Sequence, residues 1–265
     1  MISIKTPQEI EIMRQGGRLL ARILQELIDQ VVPGVSTEAL DEYANRRMLE
    51  VGGEPAFLGY KNDPDDSPYP STLCVSINSE VVHAPARPGC IINSGDIVSV
   101  DIGIRYPAQK GDGKRPMITD MARTVSVGVV PERARSLIAV TQRALSKAID
   151  VVREGATTRD IARAVESIVY PYGFGIVRSY VGHGVGYYLH EDPQIPHYVD
   201  RRFPVVTLMA GMCICIEPMI VMGEAEVETG DDGWTVKTVD GSLAAHVEHT
   251  LVVTKEGCEV VTRIE

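Results

Sequence analysis

The chain has 265 residues, 44% of them hydrophobic, and a formal net charge of −10 at pH 7. That length and composition suit one large packed core rather than a disordered or fibrous chain. The acidic balance argues against a nucleic-acid surface as the main business, so no DNA partner is expected. The five cysteines, at 74, 90, 213, 215 and 258, include no zinc-knuckle spacing, and an odd number fits a reducing, cytoplasmic setting. The segment Met1-Ile2-Ser3-Ile4-Lys5-Thr6-Pro7 lacks a long apolar stretch, so neither a signal peptide nor a membrane span is expected.

In chain order, the first element is an apolar-periodic helix over residues 7–30, with Ile12, Leu19, Leu20, Ile23, Leu24 and Leu27 inward. The run Val32-Pro33-Gly34-Val35-Ser36-Thr37 reads as a glycine-ended helix followed by an N-cap at Ser36 or Thr37. Residues 61–70, with Asp63-Pro64-Asp65-Asp66-Ser67-Pro68, read as a loop. Gly95 then opens a β-branched strand that ends on a carboxylate at Asp101. Residues 106–116, with Pro107, Gly111, Gly113 and Pro116, form a second loop, and Thr119-Asp120 leads into the strand Ala122-Arg123-Thr124-Val125.

The second half repeats this order. A helix over 131–151 precedes Arg153-Glu154-Gly155-Ala156-Thr157-Thr158, with an N-cap at Thr157 or Thr158. Gly211 opens a strand that ends on Glu217, and Val247-Glu248 leads into His249-Thr250-Leu251-Val252-Val253. The echo predicts an internal duplication, with halves of about 1–128 and 129–265 in a single catalytic domain spanning 1–265. Cys213 and Cys215 alternate within the strand, share a face, and read as small packing residues rather than ligands.

Each half thus offers two strand-borne carboxylates: Asp101 and Asp120, then Glu217 and Glu248. Taken singly, such an acid is ordinarily a cap or turn residue. Four brought together would repel unless protons or metal ions compensated them, which predicts a site for two divalent metal ions. His183 is the fifth ligand candidate, with Gly182 and Gly184 stripping side-chain bulk from both sides so that the imidazole can approach closely. The glycine-rich run around it is not a phosphate loop, because no Lys-Ser/Thr pair follows. Four carboxylates and one imidazole suit Mn²⁺, Fe²⁺ or Co²⁺, with Zn²⁺ as an alternative.

The run from Tyr180 through His183, His190, Ile195 and His197-Tyr198, together with Glu217-Pro218-Met219, Trp234-Thr235-Val236-Lys237-Thr238, Glu248-His249-Thr250 and Val81-Val82-His83, resembles the type I methionine aminopeptidases along essentially the whole chain. The resemblance implies the α+β pita-bread fold, a two-layer, pseudo-twofold duplication with helices packed on a curved antiparallel sheet. It implies a dinuclear centre of Asp101, Asp120, His183, Glu217 and Glu248, in which a metal-bridging hydroxide removes methionine from nascent chains when the next residue is small. By the same resemblance Glu217 is the general base, His190 stabilises the oxyanion and His83 steers the leaving amide. Tyr60, Tyr69, Cys74, His83, His190 and Trp234 would form the substrate pocket. The implied partners are nascent polypeptide amino termini, with docking at the ribosome suiting the task; a monomer is expected, since no coiled-coil or exposed apolar repeat speaks for assembly.

The chain departs from that family in two longer loops, one between Tyr60 and Tyr69 that could reshape the pocket entrance and displace Tyr69, the other between Asp101 and Asp120, where Lys110, Lys114 and Arg115 are expected near the site. Leu189 and Phe57 stand where phenylalanine and cysteine are frequent. The rival readings are an Xaa-Pro aminopeptidase or prolidase of the same fold, because Asp120-Met121-Ala122-Arg123-Thr124 resembles that group, and a catalytically silent peptide-binding relative. Glu217-Pro218-Met219 and the Trp234 segment speak against the first, and the intact ligand set against the second.

Overall fold

The computed structural model describes residues 2–61, 63–108 and 115–264. Four α-helices carry the apolar periodicity: α1 (Pro7–Ile28), α2 (Thr37–Glu50), α3 (Glu132–Asp150) and α4 (Thr158–Val169). Each half therefore begins with a helix pair, and in each the first candidate is the cap. The Ser36 hydroxyl accepts from the Ala39 amide, and Thr157 accepts from Asp160, which reciprocates in a capping box. Gly34 and Gly155 do not end a helix; they take left-handed φ values of 94° and 83° in the turn between helices. Helix α1 stops at Ile28 rather than residue 30, where the Gln30 amide bonds to the Leu27 carbonyl in a tighter turn.

The inner face of α1 is rotated from the expected one. Leu20, Ile23, Leu24 and Leu27 are buried, but Ile12 and Leu19 are only half-buried, and Met13, Gly16 and Gly17 take the inner places. The cause is close approach: a Cβ on Gly17 would lie 2.4 Å from the Val261 carbonyl oxygen, so the helix rides directly on backbone there.

All strand pairs are antiparallel. In the first half, Ile97–Tyr106 pairs along its length with Met117–Ser126 and on its other side with Leu73–Ile77 and Glu54–Pro55. In the second half the spatial order is Cys258–Val260, His249–Val253, Cys213–Ile216, Gly182–Gly184 and Glu191–Ile195. Two three-stranded sheets complete the set: Ala244–His246 with Met219–Val221 and Gly175–Ile176, and Val227–Thr229 with Val236–Thr238 and Glu80–Val82. The curved sheet is interrupted at Glu217-Pro218 and at Val247-Glu248 because their backbone groups leave the ladder. Pro218 has no N–H to give; the Glu217 amide donates to His197 Nε2 (3.1 Å) and the Glu248 amide to the Ala122 carbonyl (3.0 Å).

Two threonines stitch the halves together. Thr250 Oγ1 accepts from the Asp120 amide (2.9 Å) and donates to the Asp120 carbonyl (2.8 Å). Thr124 Oγ1 does the same for His246, accepting at 2.8 Å and donating at 2.6 Å. Both lie in buried strands, and among the described residues no helix is long and apolar enough to cross a membrane. Thr250→Val keeps the shape but orphans two buried backbone groups, so it should lower stability by about 1–3 kcal/mol, read as a drop in urea midpoint at unchanged m-value; an unchanged midpoint would show that the seam does not depend on this hydroxyl.

Candidate active site

Strand register brings the acids together. Asp101 stands opposite Ala122, and Gly103 opposite Asp120, so both carboxylates project from one face on a diagonal. Gly103 keeps the space beside them open to aromatic packing, since a Cβ there would meet the Phe57 ring at 2.7 Å. In the second half His183 pairs with Cys215, and Cys215 with Thr250, so these side chains share one face. Glu217 follows Cys215 by two positions and Glu248 precedes Thr250 by two, where the strands end. The glycines flanking His183 serve a different purpose from the expected one. A Cβ on Gly182 would lie 2.4 Å from the Cys215 carbonyl oxygen and one on Gly184 2.2 Å from that of Asp192, so they allow strands, rather than an ion, to come close.

The cluster is buried and under-satisfied. Asp101, Asp120 and Glu248 are 8%, 4% and 2% exposed, and Asp101 Oδ1, Glu217 Oε1 and Glu248 Oε1 make no hydrogen bond. Burial pushes the Asp101 carboxyl up to about 6 and those of Asp120 and Glu248 well above the usual range, with the charge of Asp101 adding to the rise at Asp120 and that of Asp120 to the rise at Glu248. Glu217 goes the other way. Burial raises it, but His183 and His246 outweigh burial and hold it below the usual range. Its Oε1 is 3.2 Å from His183 Nε2, without hydrogen-bond alignment, and its Oε2 is 3.6 Å from His246 Nε2.

These residues fit a divalent ion. The residues with orphaned carboxylate oxygens line one cavity, and His183 Nδ1 lies 2.9 Å from the Gly184 carbonyl, to which it donates, leaving the Nε2 lone pair free. Donor atoms of Asp120, His183, Cys215 and Glu248 all lie within 4.8 Å of one another. The sulfur of Cys215 thus stands among the ligand candidates, which departs from its reading as a packing residue.

A cavity of about 140 Å³ adjoins the acids. It exceeds the roughly 10–15 Å³ that one water needs by the same kind of measure, which leaves room for a side chain. Every residue singled out from the sequence lines it: Tyr60, Tyr69, Cys74, His83, Asp101, Asp120, His183, His190, Glu217, Trp234 and Glu248. Tyr60 Oη is 2.7 Å from His190 Nδ1, and the His190 ring meets His183 edge-on at 4.5 Å. Although His190 is open to solvent at the cavity mouth, the protein around its ring lowers its pKa to about 3, and burial lowers His83 to about 4, so both are neutral near pH 7. His83 also occupies a left-handed backbone conformation, φ 60°, and packs edge-on against Tyr180.

The Tyr60–Tyr69 loop does not displace Tyr69. The Tyr69 amide bonds to the Tyr60 carbonyl (2.8 Å) and the Gly59 amide to the Tyr69 carbonyl (2.9 Å), so the acidic excursion closes on itself outside the cavity. Tyr69 is buried, donates from its hydroxyl to the Leu73 carbonyl and meets Trp234 edge-on at 5.1 Å. In the second loop Lys110 and Lys114 lie outside the described residues, while Arg115 stacks over the Tyr187 ring at 3.8 Å. The sequence reading missed Tyr180 and Thr229 as cavity walls and gave no role to His197 or His246. The available signal for His246 was its alternation with Glu248, which places both on one side of an extended segment.

The sequence pattern of metallopeptidase family M24 matches residues 11–255. The chain is 40% identical over 266 residues to methionine aminopeptidase 1 of Bacillus subtilis (strain 168), an alignment that covers all of both proteins. Among solved structures it is similar to methionine aminopeptidase from Thermotoga maritima, with a TM-score of 0.90 at 40% identity, covering 99% of this chain and 100% of that one. Prolidase from Pyrococcus furiosus is more distant, with a TM-score of 0.74 at 23% identity over 99% of this chain and 66% of its own, and shares the fold alone. The expected pita-bread architecture is the one present.

Removing one acid should expose the repulsion. Asp101→Asn is expected to raise the Tm of chelator-treated protein and to shrink the further rise on adding Mn²⁺. A lower Tm without metal would show that the cluster is not held under electrostatic strain.

Proposed function

The chain belongs to metallopeptidase family M24, and we infer on that premise that it removes the amino-terminal methionine of proteins and peptides whose next residue is small. It is a metal-dependent aminopeptidase. The observation that carries the reading is the juxtaposition of the buried acids with a cavity whose walls include the apolar rings of Tyr69, Trp234 and Phe57. We propose that residues 1–265 work as one catalytic domain, whose halves meet near residue 128.

Asp101, Asp120, His183, Glu217 and Glu248 would hold two divalent ions, with Mn²⁺, Fe²⁺ or Co²⁺ suiting the oxygen-rich set. When bound, such ions supply an activated water and a Lewis acid for the scissile carbonyl. The chain's own groups do the rest. Glu217 takes a proton from the attacking water and returns it to the departing amine. If the Tyr60 hydroxyl donates to His190 Nδ1, the imidazole proton sits on Nε2 and is available to the developing oxyanion. His83, neutral and fixed by its backbone, faces the amide nitrogen. The first side chain enters between Tyr60, Cys74 and Trp234, and the following residues leave through the larger hollow of about 650 Å³, which shares His83, His190 and Glu217 with the cavity. Its substrates are thus amino termini of new chains, met in the cytoplasm, by a monomer that works beside the ribosome.

Chelator-stripped protein with one metal restored at a time should release methionine from Met-Gly-Met but not from Met-Leu-Met, and nothing from Ala-Pro-Ala. Cleavage chiefly of Ala-Pro-Ala would move the chain to the proline-specific branch, and silence with every metal would favour a peptide-binding role. Glu217→Gln should lower kcat by about 10²–10⁴-fold with the fold intact, and a normal rate would remove it as base. His83→Ala should lower kcat at unchanged metal content, whereas metal loss would make it a ligand.

A further inference from the structure

We infer that Cys215 supplies a sulfur ligand to an ion at this centre, forming with Asp120, His183 and Glu248 a donor set that favours thiophilic ions such as Co²⁺ and Zn²⁺ over Mn²⁺. The inference rests on the metal-dependent reading above and adds to it a donor and a metal preference.

Three observations carry it. First, Cys215 lies directly between His183 and Thr250 on neighbouring strands, so its side chain shares their face. Second, its sulfur and the ligand atoms of Asp120, His183 and Glu248 lie within 4.8 Å of one another. Ion-to-donor bonds of about 2.0–2.3 Å separate two donors on one ion by at most about twice that length, so these four are close to what a shared ion demands. Third, Glu248 is 2% exposed and its Oε1 is without a partner in the same cluster, so the sulfur stands beside a buried acceptor that is itself unsatisfied.

The thiol is available for the role. It is in no disulfide, and among the described residues its hydrogen-bonding neighbours are Thr250 Oγ1, at a loose 3.5 Å, and the carboxyl of Glu248, itself one of the proposed ligands. Cys213, two residues earlier, is not part of the donor cluster. On binding, the S–H bond breaks as the sulfur–metal bond forms, and the proton passes to solvent with no change of oxidation state. A soft sulfur donor strengthens the hold on zinc and cobalt, while manganese gains little from it.

The test is equilibrium titration of chelator-treated full-length protein with Co²⁺, read by absorbance. The parent should develop a sulfur-to-cobalt charge-transfer absorption in the near ultraviolet together with visible ligand-field bands. Cys74→Ser, which removes the thiol in the cavity wall, should keep the charge-transfer absorption. Cys215→Thr should lose it while keeping the visible bands, and in a zinc–manganese competition should shift preference toward manganese by about tenfold. If Cys215→Thr fails to fold by circular dichroism, Cys215→Ala serves the same reading. Visible bands without charge transfer in the parent would overturn the inference and leave the metal-dependent reading intact. No bound cobalt at all would overturn both.

Discussion

Four carboxylates buried at the seam between two half-domains are the constraint on which the rest of this structure depends. Each ionised carboxylate taken out of water carries an effective penalty of several kcal/mol, while a whole domain is stable by only about 5–15 kcal/mol. The fold meets this partly by raising the carboxyls of Asp120 and Glu248 above their usual range, which eases their protonation, and by setting Glu217 against two histidines. The remainder is left for a cation to relieve. An ion present at a thousand times its Kd adds about 4 kcal/mol to the folded state, which is of the right size to offset one such penalty.

The two halves hold their acids in different ways. Asp101 and Asp120 lie within an unbroken ladder from Ile97 opposite Ser126 to Tyr106 opposite Met117; backbone pairing fixes Asp101 on both sides and Asp120 on one, with the Thr250 hydroxyl holding its other side. Glu217 and Glu248 lie where the ladder fails, and their amides are satisfied instead by His197 and by Ala122 from the other half. That exchange is what a two-fold arrangement of strands requires. The ladder must open for carboxylates from both halves to converge, and every amide released by the opening needs a new acceptor. Thr124 and Thr250 provide the complementary solution, each spanning the gap with a hydroxyl that both accepts and donates.

The duplication was legible because it rests on local chemistry: glycines that adopt positive φ at 34, 95, 155 and 211, and caps at Ser36 and Thr157. The convergence of the acids on one cavity was legible because charges that interrupt apolar strands have few explanations. The misread residues depended on distances that a sequence does not contain. The inward face of α1 is turned by contact with Val261, the glycines beside His183 answer carbonyls of Cys215 and Asp192, and Cys215 gains its neighbours only through pairing with His183 and Thr250. His197 escaped notice for the same reason, since it contacts Glu217 across a gap in the chain that no local spacing signals, whereas His246 left one local sign in its alternation with Glu248.

The reaction and its selectivity are separable in this architecture. Asp101, Asp120 and His183 sit on strands and Glu217 and Glu248 at the ends of strands, whereas Tyr60, Tyr69, Gly233 and Trp234 come from loops around the cavity. Loops ordinarily vary in length and position, which would make a pocket built from them unreliable. Here the acidic excursion between Tyr60 and Tyr69 is pinched by backbone hydrogen bonds at its own base, and Tyr69 is clamped from its other end by Trp234 and by the Leu73 carbonyl. Loop closure entropy grows only slowly with length, so residues added beyond the pinch burden folding little and leave the wall in place. The pocket is therefore set by the two residues that close the loop and is insulated from the segment between them.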